Sequence, residues 1–191
     1  IPTALPMVAR LTDPFLTRNP NVRVTILSMT SYEILEAIDS LAIDAGVTYL
    51  ENEPLGRVAQ VPLHLEGYWL LVASSSPLSR MAEVTWEEAA TQPLCLLTGN
   101  MQNRRIINQH LASVGMSAAP TVESNSTIAL VAHVATGKWA SIVPQTLAEM
   151  FGAGAGLTAV PIADTGAKHV VGLIAPYREP HTPLIAALLD E

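Results

Sequence analysis

Val58-Ala59-Gln60-Val61-Pro62-Leu63-His64-Leu65-Glu66-Gly67-Tyr68-Trp69-Leu70-Leu71-Val72-Ala73 reads as two extended stretches with a break at Glu66-Gly67. Before this point helix and strand alternate, and after it a similar alternation starts again. No tandem repeat and no Gly/Ser linker separates the two runs. The missing linker is informative, because strands themselves are then expected to cross between two units. The crossings are expected near residues 66–73 and near 161–170, with residues 1–68 plus 169–191 forming one subdomain and 69–168 the other. Two units joined by paired crossover strands make a hinged cleft suited to closing over a small ligand.

Upstream of the break, Leu5, Val8, Leu11, Phe15 and Leu16 recur by threes and fours, the spacing of a helix that buries one face, with Pro14 loosening it. Asn19-Pro20-Asn21 is a turn, and Val22, Val24 and Ile26 alternate as a strand. Ser31 is placed to cap a second helix carrying Ile34, Leu35, Ile38 and Leu41, and Ala45-Gly46-Val47 follows as a buried strand. Helix alternating with strand argues for a parallel sheet covered by helices.

Downstream, Thr85-Trp86-Glu87-Glu88 carries a capping box. Leu94 to Leu97 is a buried strand, Asn100 is placed to cap a helix through Ile106, Ile107, His110 and Leu111, and Thr121 to Glu123 is a short strand. Ser124, Asn125 or Ser126 caps the apolar helix Ile128 to Ala135, which Gly137 ends. Ala140 to Val143 is a strand stopped by Pro144, and Gly152, Gly154 and Gly156 mark a loop before Leu157 to Val160. A last strand runs from His169 to Ala175, and a last helix from Pro183 to Leu189.

Composition narrows the function. The 191 residues carry a net charge of −7, which excludes the basic face of a nucleic-acid-binding surface over this stretch. Apolar residues make up 49% and charged residues 14%, so disorder is excluded. No apolar run reaches the roughly 20 residues that span a bilayer. The chain starts at Ile1 without Met or a signal-like segment and reads as a fragment or a processed chain. The single Cys95 forms no internal disulfide and reads as a buried hydrophobe in its strand.

Catalytic and metal signatures are weak. His64, His110, His133, His169 and His181 lie far apart without ligand spacing, so no metal and no cofactor is expected. There is no Gly-x-Ser-x-Gly elbow, no Gly-x-Gly-x-x-Gly after a strand, and no Lys-Ser/Thr after the Gly152–Gly156 alternation.

A small hydroxyl or amide residue recurs where strand hands over to helix. Pro2-Thr3, Thr30-Ser31, Thr98-Gly99-Asn100-Met101 and Ser124-Asn125-Ser126 all fit that description. In α/β sheets such positions sit at the carboxyl ends of strands, and helix-start N–H groups favour anions. Plain N-capping uses the same residue types. Four clusters converging on one cleft point to a small anionic ligand. The adjacent pair Arg104-Arg105 either reaches a carboxylate from its helix start or covers a solvated face.

These features resemble the effector-binding (regulatory) domain of LysR-type bacterial transcriptional regulators over essentially the whole chain. The matching stretches begin with Phe15 to Val22, the "F…P-x-V" entry to a strand, and Ile43-Asp44-Ala45-Gly46-Val47, similar to the family's Leu-Asp-Leu-Ala-Ile box. Pro62-Leu63, Trp69 to Val72 and Ser76-Pro77-Leu78 resemble its strand pair and "His-Pro-Leu" turn. Val131 to Pro144 resembles its "Val-Ala-x-Gly-x-Gly-x-x-x-x-Pro" segment. Trp139 replaces the second glycine of that segment, and Ser76 the usual histidine.

The resemblance implies an α/β fold of two Rossmann-like subdomains joined by crossover strands, like a type 2 periplasmic-binding protein. It also implies no enzymatic activity and a small-molecule effector in the cleft at Pro2, Thr3, Thr30, Ser31, Thr98, Gly99, Asn100, Met101 and Ser126. The effector expected there is a carboxylate or oxyanion. A homodimer, a tetramer in the full-length protein, and a cytoplasmic location are further implications. DNA binding would belong to a winged helix-turn-helix domain preceding residue 1. Two other readings use a similar scaffold, an extracytoplasmic solute-binding protein of a transporter and an enzyme. The first needs a secretion signal upstream, and the second needs clustered charged catalytic groups.

Overall fold

A computed structural model describes residues 4–51, 53–152, 156–163, 168–178 and 180–189. The chain forms two compact units, one running to Glu66 and resuming at Lys168, the other beginning at Gly67.

The first unit opens with α1 (Leu5–Arg18) and α2 (Ser31–Asp39) and builds a sheet from β1 (Gly46–Tyr49), β2 (Val58–Glu66) and β8 (His169–Pro176), ending in α7 (Pro183–Leu189). Strand order is β1-β8-β2, and both pairings are antiparallel. This corrects the parallel sheet expected here. The chain leaves the unit along β2 and returns along β8, so the two strands lie side by side in opposite directions. A parallel pair would need a crossover helix between them.

Ile34 and Ile38 of α2 pack with Leu55 and Ile174, each burial contributing about 2 kcal/mol. Gly46 permits that packing, since a Cβ there would lie 2.5 Å from the Ile34 methyl.

Two further expectations fail in this unit. Residues 22–30 form no strand, and Val24, Ile26 and Leu27 are exposed. Alternation makes a strand only where a neighbour completes the ladder, and among the described residues none does. Leu41 does not continue α2: it follows the helix end with φ 60° and is exposed.

In the second unit, β3 (Tyr68–Ala73) is flanked antiparallel by β6 (Ser141–Pro144) and β7 (Leu157–Pro161). The pair β4 (Cys95–Leu97) and β5 (Val122–Ser124) is parallel. An isolated parallel bridge, Leu94 to Ala140, joins β4 to the start of β6. Helices α3 (Trp86–Ala90), α4 (Gln102–Ser113), α5 (Thr127–Ala135) and α6 (Gln145–Gly152) complete the unit. Sequence reading did not anticipate α6, which starts directly after Pro144.

The core joins Leu71, Cys95, Leu97, Leu130, Val143 and Leu147, with Trp139 half-buried against it. Trp139 is thus accommodated by packing, two residues after Gly137 turns the chain at φ 78°. Trp86 stacks on His110 at 4.5 Å with an interplanar angle of 7°, fastening α3 to α4.

Candidate functional site

The parallel pairing of β4 and β5 brings two of the four predicted clusters together. Leu97 stands opposite Ser124, and the Thr98 amide donates to the Ser124 carbonyl at 3.1 Å. Loops 98–101 and 124–126 therefore leave neighbouring strands at the same carboxyl edge, and each leads into a helix.

The loop geometry is tight. Thr98 Oγ1 donates to Asn100 Oδ1 at 2.7 Å, and the Met101 amide donates to the Thr98 carbonyl at 3.0 Å. Asn100 is not the cap expected of it. Met101 occupies the N-cap of α4, is buried, and supplies no side-chain cap. The dipole of this 12-residue helix thus begins beside exposed Gly99 and Asn100. Ser126 does cap α5, its hydroxyl accepting from the Ala129 amide at 3.4 Å. Ser124 Oγ accepts from the Ser126 amide at 3.1 Å.

Arg104 does reach a carboxylate from its helix start, that of the chain's own Glu123, while Arg105 turns back onto its loop. Arg104 is buried and works as a tie, donating to the Leu97 carbonyl at 2.8 Å, Glu123 Oε1 at 2.6 Å and Asn108 Oδ1 at 2.9 Å. It holds the ends of β4 and β5 to the first turns of α4. Arg105 folds back over the loop, donating to the Asn100 carbonyl at 2.7 Å.

In the first unit the predicted residues are occupied locally. Thr30, rather than Ser31, caps α2 through a complete capping box. Thr30 Oγ1 accepts from the Glu33 amide at 3.2 Å and donates to Glu33 Oε2 at 2.8 Å, while that oxygen also accepts from the Thr30 amide at 2.7 Å. These bonds, the backbone one foremost, hold the Glu33 carboxyl below its usual range. Ser31 is buried and donates to Glu53 Oε2 at 2.9 Å. Pro2 and Thr3 lie outside the described residues.

Sequence reading missed a polar group on one face of the first sheet. Glu66 is buried and stands opposite His169, and His64 Nε2 lies 3.4 Å from Glu66 Oε1. Tyr49 meets His169 edge-on at 6.3 Å. Burial holds the His169 pKa below its ordinary value, against the opposing pull of Glu51 and Glu66. The only signal was His64 and Glu66 two apart on a strand, which places them on one face.

Cys95 is fully buried, with Sγ 3.7 Å from the Leu130 carbonyl. Desolvation pushes its thiol up to about 11, which suits a packing role. Among the described residues no three His, Cys, Asp or Glu gather to hold a metal ion.

Residues 2–191 match the family described as the LysR substrate binding domain. The chain belongs to that family, whose fold is the periplasmic-binding-protein-like type 2 α/β fold. Solved structures show the same fold at low identity. CbnR, a LysR family transcriptional regulator, superposes with a TM-score of 0.79 at 19% identity, covering 100% of this chain and 65% of that one. The BenM effector binding domain with its effector benzoate gives 0.79 at 20%, covering 98% and 85%. The effector binding domain of QuiR in complex with shikimate gives 0.78 at 18%, covering 96% and 87%. The chain thus spans about two-thirds of the length of the full-length regulator. No curated protein matches by sequence.

Proposed function

We propose that this chain is the effector-binding domain of a LysR-type transcriptional regulator and that it senses a small anion, a carboxylate or an oxyanion. The observation that carries the reading is the meeting of loops 98–101 and 124–126 at the carboxyl edge of the parallel β4–β5 pair, beside a helix start without a side-chain cap. Exposed backbone and a positive dipole end suit a carboxylate or oxyanion there. Benzoate and shikimate, named with the two effector-binding relatives, are both carboxylates.

Thr98, Gly99, Asn100, Met101 and Ser126 are the principal binding residues in this proposal. Thr30 and Ser31 take a lesser part, since their hydroxyls are held by the Glu33 and Glu53 carboxylates, which repel an anion, whereas the Thr98 hydroxyl is bonded to the neutral Asn100 amide. Pro2 and Thr3 belong to the same proposed set. The protein acts without catalysing a reaction: effector occupancy changes how a winged helix-turn-helix domain, outside this sequence, meets DNA in the cytoplasm. Two copies pair as a homodimer, tetrameric in the full-length protein. Tyr32 on α2 and Ile128 on α5 are 73% and 70% exposed and supply apolar surface for that pairing.

Thermal-shift screening of benzoate, shikimate, phosphate and sulfate, followed by calorimetry, tests the reading. At least one anion should raise the melting temperature, and Thr98→Val should weaken its binding about tenfold, the loss of one hydrogen bond to a charged ligand. Anion binding that Thr98→Val and Ser126→Ala leave untouched would remove these loops from the site. With a net charge of −7, the chain alone should not retard DNA at physiological salt.

A further inference from the structure

We propose that the first unit carries a second small-molecule site, one that takes an apolar monocarboxylate. An open cavity of about 540 Å³ lies at the C-terminal end of α2. That size falls within the range of small-ligand pockets. Leu35 and Ile38 of α2, with Leu55 and Val58 at the entry to β2, form an apolar wall, and Arg57, Arg178 and Asp39 supply the charged groups. Leu41 also lines it, an exposed leucine held at φ 60°, a strained conformation for a non-glycine residue.

The charge pattern selects the ligand. In a chain of net charge −7, two guanidinium groups line one cavity, and among the described residues neither has a carboxylate partner. The Arg57 guanidinium carbon sits 4.7 Å from the centre of the Tyr177 ring. That cation–π contact restrains the Arg57 side chain, so its N–H groups meet a carboxylate at reduced ordering cost. Asp39 lowers the local surplus to a single positive charge, which favours a monoanion over di- and tricarboxylates. The apolar wall takes an aliphatic or phenyl body.

This site is distinct from the proposed effector site. Thr30 caps the opposite end of α2, whose nine residues set the two ends about 13 Å apart. The inference therefore does not rest on the effector reading.

Calorimetric titration of the whole chain with 4-phenylbutyrate, and with its uncharged counterpart 4-phenylbutanol, tests it. The acid should bind about fivefold or more tightly than the alcohol at low salt, and added salt should narrow the gap. Arg57→Gln combined with Arg178→Gln should abolish the preference. Both residues are exposed, so an unchanged melting temperature confirms that the variant folds. Thr98→Val should bind the acid as the parent does. Absence of binding at millimolar probe, equal affinity for acid and alcohol, or a preference that survives the double substitution would overturn the proposal. Loss of phenylbutyrate binding in Thr98→Val would place the probe in the effector site, overturning this inference while leaving that reading intact.

Discussion

Helices α2 and α4 occupy comparable places, each following a threonine-bearing loop, yet they start in opposite ways. At α2 the Thr30 hydroxyl and the Glu33 carboxylate close on each other, and a negative side chain sits on the positive end of the helix. At α4 the Thr98 hydroxyl turns to Asn100, Met101 offers no side-chain cap, and no acidic residue occupies the first turn. One start satisfies itself, and the other leaves its dipole to solvent or ligand. The same residue type before a helix can therefore close the helix start or leave it open. The residue three positions after the N-cap, Glu33 after Thr30 in one case and Arg104 after Met101 in the other, separates them.

The largest expected effect comes from breaking the frame of the open start. Arg104→Ala removes the tie between α4 and the ends of β4 and β5 and strands the buried Leu97 carbonyl. The cost should be about 2–4 kcal/mol, discounted from a fully buried pair because Glu123 is 48% exposed on its side chain. Chemical denaturation should show this loss, and calorimetry a parallel loss of anion binding. An Arg104→Ala protein of parental stability would mean that the tie is incidental.

Next in size is the closed start. Thr30→Ala should cost about 1 kcal/mol of stability through loss of the cap and leave anion affinity within about twofold. That is the reverse of Thr98→Val, which should spare stability and weaken binding. If the two variants behave alike in calorimetry and denaturation, the distinction between the starts fails.

The smallest effect is a pH dependence belonging to the first unit. Because the folded-state pKa of His169 lies below its ordinary value, its contribution is fully present above about pH 6.5, the unfolded-state value, and declines as pH falls through that range. His169→Asn should flatten the stability profile between about pH 7 and pH 5. Glu33 adds a second decline below its ordinary carboxyl range, which Thr30→Ala should also reduce. Melting curves across pH for the parent and the two variants separate these contributions.

Much of this architecture is legible in one dimension because it rests on local physics. The α1 periodicity from Leu5 to Leu16, the capping box at Thr85 and Glu88, the Ser126 cap and the break at Glu66-Gly67 are all decided by residues within one or two turns of each other. The candidate loops at 98–101 and 124–126 are legible for the same reason, as hydroxyl and amide residues between a strand and a helix.

Strand pairing is another matter, because it depends on partners far along the chain. Val22, Val24 and Ile26 alternate as well as any strand here and form none, while the antiparallel order β1-β8-β2 comes from where β8 returns after a long excursion. The roles of charged residues were equally hidden: Arg104 became a buried tie only once Leu97 and Glu123 were beside it. Local pattern expresses what a segment prefers. Long-range contact settles which of those preferences finds a partner to hydrogen-bond and to bury against, and so tertiary structure alone chose between strand and loop.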